Sequence, residues 1–197
     1  MGELEIRGLV IVNLAIQSHN YPITRSPDYS HDTAMDLTLP LDYAAIERIL
    51  VHRYPFLFVD RITEFEVDKR IVGIKNVSLN ERFLWRPPNG RPVLPPTILT
   101  EAVAQVGAIL VLAKPENRQR LVFFAGIDRV RYRRPVHAGD VVVIEADVVK
   151  LRSRMGQLKG VGRVDGKPVI DGQMTFALGP AAPTQSATTV SATDAVR

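Results

Sequence analysis

Cysteine is absent from all 197 residues, which rules out disulfides and any thiolate-bound metal. That absence leaves a reducing compartment open, and a cytoplasmic protein is expected. Histidine is sparse: His19, His31, His52 and His137 are scattered without ligand spacing, so no metal is expected. No charge-free apolar run reaches the ~20 residues that cross a bilayer, so no membrane partner is expected. The N-terminal run from Leu9 to Ile16 is short, is interrupted by Asn13 and follows Glu3, Glu5 and Arg7, which argues against a signal peptide. Aromatic residues make up only 7% and are not interleaved with the basic ones. With no RNA-binding signature or helix-turn-helix pattern either, nucleic acid is not an expected partner.

What is present is a chain with 46% hydrophobic and 23% charged residues, long enough to bury one real core. The formal charge of +4 is modestly basic. Much of the excess sits in Arg129, Arg131, Arg133 and Arg134, then in Arg152, Arg154 and Lys159. A solvated basic face and a docking site for an acidic protein both fit, and complementary charge would steer such an encounter. Three regions follow from composition. Residues 1–35 are a weakly patterned extension, expected to be poorly ordered, and Met35 is a candidate natural start. Residues 36–179 form the folded body, and residues 180–197 are a small-residue tail expected to be disordered.

Within the body, Asp42 can cap a short helix carrying Ile46, Ile49 and Leu50 on its inner face. Phe56 to Phe65 and Arg70 to Leu79 read as strands joined near Val67-Asp-Lys69. A long apolar helix follows, with Pro95-Pro96 at its start, where a missing N–H costs least. Strands resume at Arg120 to Phe124 and Arg129 to Arg134. Val141 to Leu151, Gln157 to Val164 and Pro168 to Leu178 make a meander, with Asp165-Gly166-Lys167 as its tight turn. Gly90 and Gly126 read as turn glycines of positive φ. A strand pair, one buried helix and further antiparallel strands predict an α+β fold in which the sheet wraps the helix. Ala102, Ala104, Gly107 and Ala108 are small enough to let the sheet come close. That is the hotdog architecture.

Glu101 and Gln105 are the strongly polar side chains of the helical stretch from Thr97 to Ala113. Their i, i+4 spacing puts a carboxylate and an amide on one helical face. A helix apolar nearly all round is buried, and a buried carboxylate must be paired, neutral or working. Gln105 is expected to orient Glu101 through a hydrogen bond.

Several blocks carry a family resemblance: His52-Arg-Tyr-Pro-Phe-Leu-Phe-Val-Asp-Arg61, Ile74-Lys-Asn-Val77, Glu101-Ala-Val-Ala-Gln105, Phe124-Ala-Gly-Ile-Asp128, and Arg133-Arg-Pro-Val136 followed by Gly139-Asp140. In order and spacing, from about Leu41 to Leu178, they resemble the 3-hydroxyacyl-[acyl-carrier-protein] dehydratases of the FabZ type. The resemblance implies a hotdog dimer or trimer of dimers, with no cofactor beyond the phosphopantetheine arm of an acyl carrier protein. It implies docking of that acidic carrier on Arg129, Arg131, Arg133 and Arg134. It makes Glu101 the catalytic carboxylate, with Gln105 orienting it. Tyr54, Phe56, Trp85, Gly90 and Thr97 are candidate substrate-binding positions, although core packing is the better-supported role of Tyr54 and Phe56 and a loop anchor fits Trp85 equally; Asn80 to Trp85 is expected to belong to a loop over the entrance.

The family's motif before the helix has the form G-H-F-P-G-x-P-x-M-P-G-V-L-x-x-E. Its histidine takes the α-proton, its acidic residue comes from the other subunit, and backbone N–H groups at the helix start hold the carbonyl. Counting back from Glu101 without gaps, Pro87 stands at the histidine position and Pro96 at the glycine. Proline has neither a titratable group nor an N–H. No histidine occurs between Phe83 and Thr100, and His52 belongs to the family's own upstream block. Three functions remain open. The chain can be a subunit completed by a histidine-bearing paralogue, a thioesterase that uses Glu101 on the same scaffold, or a non-catalytic binder of acyl chains or carrier protein.

Overall fold

The computed structural model describes residues 4–8, 38–118 and 120–181. Asp42 caps helix α1 (Tyr43–Ile49), its carboxylate accepting from the Ala45 N–H at 2.9 Å. Helix α2 (Pro96–Leu112) opens on proline, as its sequence predicts. Among the described residues, seven antiparallel strands form one sheet: β1 (Leu4–Gly8), β2 (Arg61–Glu66), β3 (Arg70–Asn76), β4 (Arg120–Tyr132), β5 (Val141–Leu151), β6 (Met155–Val164) and β7 (Lys167–Ala181). Their order across the sheet is β1-β4-β7-β6-β5-β3-β2. The fold is α+β, with the sheet wrapped around α2.

Close approach of helix and sheet is built from glycine on both sides. A Cβ added at Gly160 of β6 would lie 2.4 Å from Val103 Cγ1, and one at Gly73 of β3 would lie 2.6 Å from Val106 Cγ2. Gly107 of α2 answers from the helix side, facing Leu158 and Phe176. Nearly every residue of α2 from Leu99 onward is therefore buried, and the core forms between this helix and the concave face of the sheet.

The stretch from Phe56 to Asp60 is not strand: the Phe56 carbonyl and the Phe58 N–H bond the Gln105 side chain on α2, and Asp60 is where the chain first bonds β3, its N–H donating to the Ile74 carbonyl. The segments on either side of Ala125 are one strand, not two. β4 runs through with shifts of register between Phe124 and Gly126 and between Asp128 and Arg131, and Arg129 sits at φ 52°. Bulges of this kind absorb an extra residue without ending the strand. Gly126 is therefore a strand residue, and neither it nor Gly90 has positive φ; Gly139 and Gly166 do. β7 runs past the expected end, to Ala181. Leu4–Gly8 pairs with Ile127 to Tyr132, a strand the weak patterning of the extension did not reveal. The expectations for the rest of the first 37 residues, Met35 included, and for the tail beyond Ala181 lie outside the described residues.

Candidate active site

Glu101 lies one and a half turns into α2, on a stripe continued by Ala104, Gln105, Ala108 and Leu112. With Leu50, Val51 and His52 after α1, Arg120 to Phe124 of β4 and Phe176 of β7, this stripe lines a groove of about 110 Å³. Its walls are mostly apolar, so the carboxylate loses water and gains little in exchange. Only 19% of the Glu101 side chain is exposed. Burial pushes its carboxyl up from 4.5 to about 7, against the opposing pull of the Gln105 amide.

Gln105 is held from three directions. Its Oε1 accepts from the Phe58 N–H at 2.9 Å, and its Nε2 donates to the Phe56 carbonyl at 2.7 Å and to Glu101 Oε1 at 2.9 Å. The amide thus fixes the carboxylate and clasps the segment after Pro55 onto the helix. Gln105→Leu should strand the Phe56 and Phe58 backbone groups at about 1–3 kcal/mol each. Urea unfolding is expected to show that loss, together with a fall in whatever activity Glu101 supports.

Glu101 meets a second titratable group that sequence reasoning set aside. His52 Nε2 lies 3.5 Å from Glu101 Oε1, within one chain. The last turn of α1, closed by the Leu50 N–H to Ile46 carbonyl bond, sets the chain's direction into this contact. Burial first, and the Arg53 guanidinium second, hold His52 below its usual 6.5. The neutral imidazole faces a carboxyl that holds its proton up to neutrality.

A profile of the FabA-like domain family matches residues 50–173, which takes in every residue named as lining the groove except Phe176. The FabZ 3-hydroxyacyl-[acyl-carrier-protein] dehydratase of Bacillus velezensis is 50% identical over 143 residues, 71% of this chain and 99% of that protein. The FabZ of Bacillus subtilis is 49% identical over the same length and shares. The chain belongs to the FabZ-type dehydratase family. Among solved structures, the dehydratase heterocomplex ApeI:P from Xenorhabdus doucetiae superposes with a TM-score of 0.60 at 19% identity, over 68% of this chain and 91% of that one. This likeness bears on the fold alone, and it is the hotdog fold expected.

Other residues singled out from the sequence are not among those lining the groove of this FabZ-type chain. Tyr54 is 80% exposed, and Trp85 is 63% exposed, its backbone bridged to Val93. Phe56 packs with Phe58 and Phe83 at ring separations of 5.3–5.7 Å, a core role. Gly90 is exposed and abuts Pro87, whose Cγ would stand 2.8 Å from an added Cβ. Thr97 is exposed in the first turn of α2, where Pro96 has no N–H and the Thr97 amide is the first available donor. The segment from Asn80 to Trp85 is pinned: Lys75 pairs with Glu81 at 2.8 Å and stacks 5.2 Å above the Phe58 ring, and Arg86 donates to the Leu79 carbonyl. The groove lining itself was half legible, since the positions 101, 104, 105, 108 and 112 share one helical face. His52 and the β4 residues carried no such signal.

The arginine row is partly occupied within the chain. Asp171 takes Arg133 at 2.5 Å and Arg131 at 3.6 Å, and Arg129 bonds Asp128 and Gln173. Arg134 donates to the Lys167 carbonyl at 2.9 Å. Among the described residues, these four arginines share this face with Asp128 and Asp171. Among the described residues, no group of histidine and carboxylate side chains is placed to hold a metal ion, and no helix is long and apolar enough to cross a membrane.

Proposed function

We propose that this chain takes the 3-hydroxyacyl group of an acyl-carrier-protein thioester into the Glu101 groove and serves its dehydration as the carboxyl-bearing subunit of a heterodimer, in fatty-acid or polyketide biosynthesis. The observation that carries this reading is the buried Glu101 carboxyl, oriented by Gln105 and raised to about 7. A carboxylic acid that keeps its proton near neutrality can protonate a leaving hydroxyl.

Water loss also needs a base at the α-carbon and donors on the thioester oxygen. Pro87 and Pro96 stand where the family's motif supplies the base and one of the amides. A histidine-bearing FabZ-type paralogue, paired with this chain across the shared site, restores the imidazole. The Thr97 N–H serves as the remaining donor. The arginine row of Arg129, Arg131, Arg133 and Arg134 suits an acidic carrier protein, whose pantetheine arm would deliver the substrate.

The test is complementation. Pure chain, alone and mixed with a histidine-bearing FabZ-type dehydratase whose own glutamate is changed to glutamine, is given a 3-hydroxyacyl carrier thioester and followed by enoyl absorbance. Slow turnover alone and a large gain on mixing are expected. Full-rate turnover by the lone wild-type chain, unchanged by mixing, would contradict the missing-base reading.

A further inference from the structure

We propose that His52 is a proton acceptor of this chain's own, working with Glu101 as donor to give a slow dehydration that needs no partner imidazole. The inference rests on the dehydratase reading above and concerns the lone chain.

The geometry is local and complete. Nε2 of His52 faces Glu101 Oε1 at 3.5 Å on the wall of the groove. The carboxyl cannot swing away, because Gln105 holds the same oxygen at 2.9 Å while being tied to the Phe56 and Phe58 backbone. Among the described residues His52 Nδ1 is buried and has no hydrogen-bond partner, so no donor there locks the ring proton on Nε2, while the tautomer with a free Nε2 carries its N–H on Nδ1 without an acceptor. The other charged groups beside the pair are Arg53, on His52's own segment, and Arg120, from β4. Arg53 is turned back onto the Leu50 and His52 carbonyls at 2.7 Å. Both are guanidinium groups that add positive charge without exchanging protons near neutrality.

With a 3-hydroxyacyl thioester in the groove, Nε2 takes the α-proton and the C–H electron pair becomes the new double bond. The bond from the β-carbon to its hydroxyl breaks, and the hydroxyl leaves with the Glu101 proton as water. An imidazolium and a carboxylate then stand 3.5 Å apart. The proton returns directly from one to the other, which resets both groups with no further reactant. Burial holds His52 below 6.5 and Glu101 near 7, so the competent pair, neutral imidazole and protonated carboxyl, occupies the interval between them.

The lone chain is assayed for enoyl formation across pH as wild type, His52→Gln and His52→Gly, the last with and without added imidazole. Urea unfolding accompanies each variant. A slow wild-type rate is expected, with a bell-shaped profile whose alkaline limb falls through about 7. His52→Gln should lose at least about a hundredfold of that rate, and imidazole should restore a part of it in His52→Gly. A packing role would not produce the imidazole rescue. A lone-chain rate at background while the mixed preparation turns over would overturn the inference and leave the heterodimer reading standing. So would a lone-chain rate indifferent to His52→Gln. No water loss in either preparation would overturn both.

Discussion

Glu101→Gln should lower dehydration in the mixed assembly by about 10²- to 10⁴-fold, the usual contribution of a positioned general acid. Glutamine keeps the shape and can still accept the Gln105 N–H, so the loss isolates the proton that Glu101 supplies. The same substitution carries a stability signature of opposite sign. The carboxyl titrates at about 7 in the fold against 4.5 in the reference state. The fold therefore binds this proton more tightly than the unfolded chain does. Stability from this site is complete below 4.5 and is lost as the pH rises through 7, by roughly 3 kcal/mol at most. Glutamine does not ionise. Urea unfolding should find the variant more stable than wild type at about pH 9 and close to it at about pH 4. A gain in stability coupled to a loss of rate marks Glu101 as kept for chemistry. Equal unfolding at both pH values would place the carboxyl in ordinary solvent.

Pro87→His together with Pro96→Gly should raise the lone chain's dehydration by about 10²-fold or more, since one change supplies an imidazole base and the other a backbone donor. The scaffold offers room for the first change. Pro87 is half-buried in a surface loop and leans on Gly90, so the substitution disturbs no core residue. The second change removes a favourable proline from the first position of α2, and glycine there is a poor helix former, at about 1 kcal/mol. Each single variant should gain less than the double, because each leaves one requirement unmet. A double variant that folds and stays at the wild-type rate would mean that the groove has been remodelled for other chemistry.

How far the sequence reached depended on whether a feature was local. The i, i+4 relation of Glu101 and Gln105 is a property of helix geometry, and the structure places the two side chains in contact as their spacing predicts. The target of Gln105 was out of reach: Phe56 and Phe58 lie 49 and 47 residues away, and no period links them. For the same reason, Phe56 to Asp60 read as strand although the Phe56 carbonyl and the Phe58 N–H bond a side chain. His52 was read as part of a family block and excluded as a base, yet it stands against Glu101. Membership in a motif says nothing of distance. The glycine at 126 read as a turn because a bulge and a turn share their composition, and only the β7 partner distinguishes them. β1 was invisible because edge pairing depends on an available neighbour more than on its own alternation.

The most direct measurement is the mass of the carrier-bound acyl group after a 3-hydroxyacyl carrier protein is incubated with the chain and a histidine-bearing partner whose own glutamate is changed to glutamine. Loss of one water from the acyl chain, abolished in Glu101→Gln, is the expected result. A carrier stripped of its acyl group would make the Glu101 groove a thioesterase site. A carrier recovered unchanged, while bound tightly, would make it no active site at all.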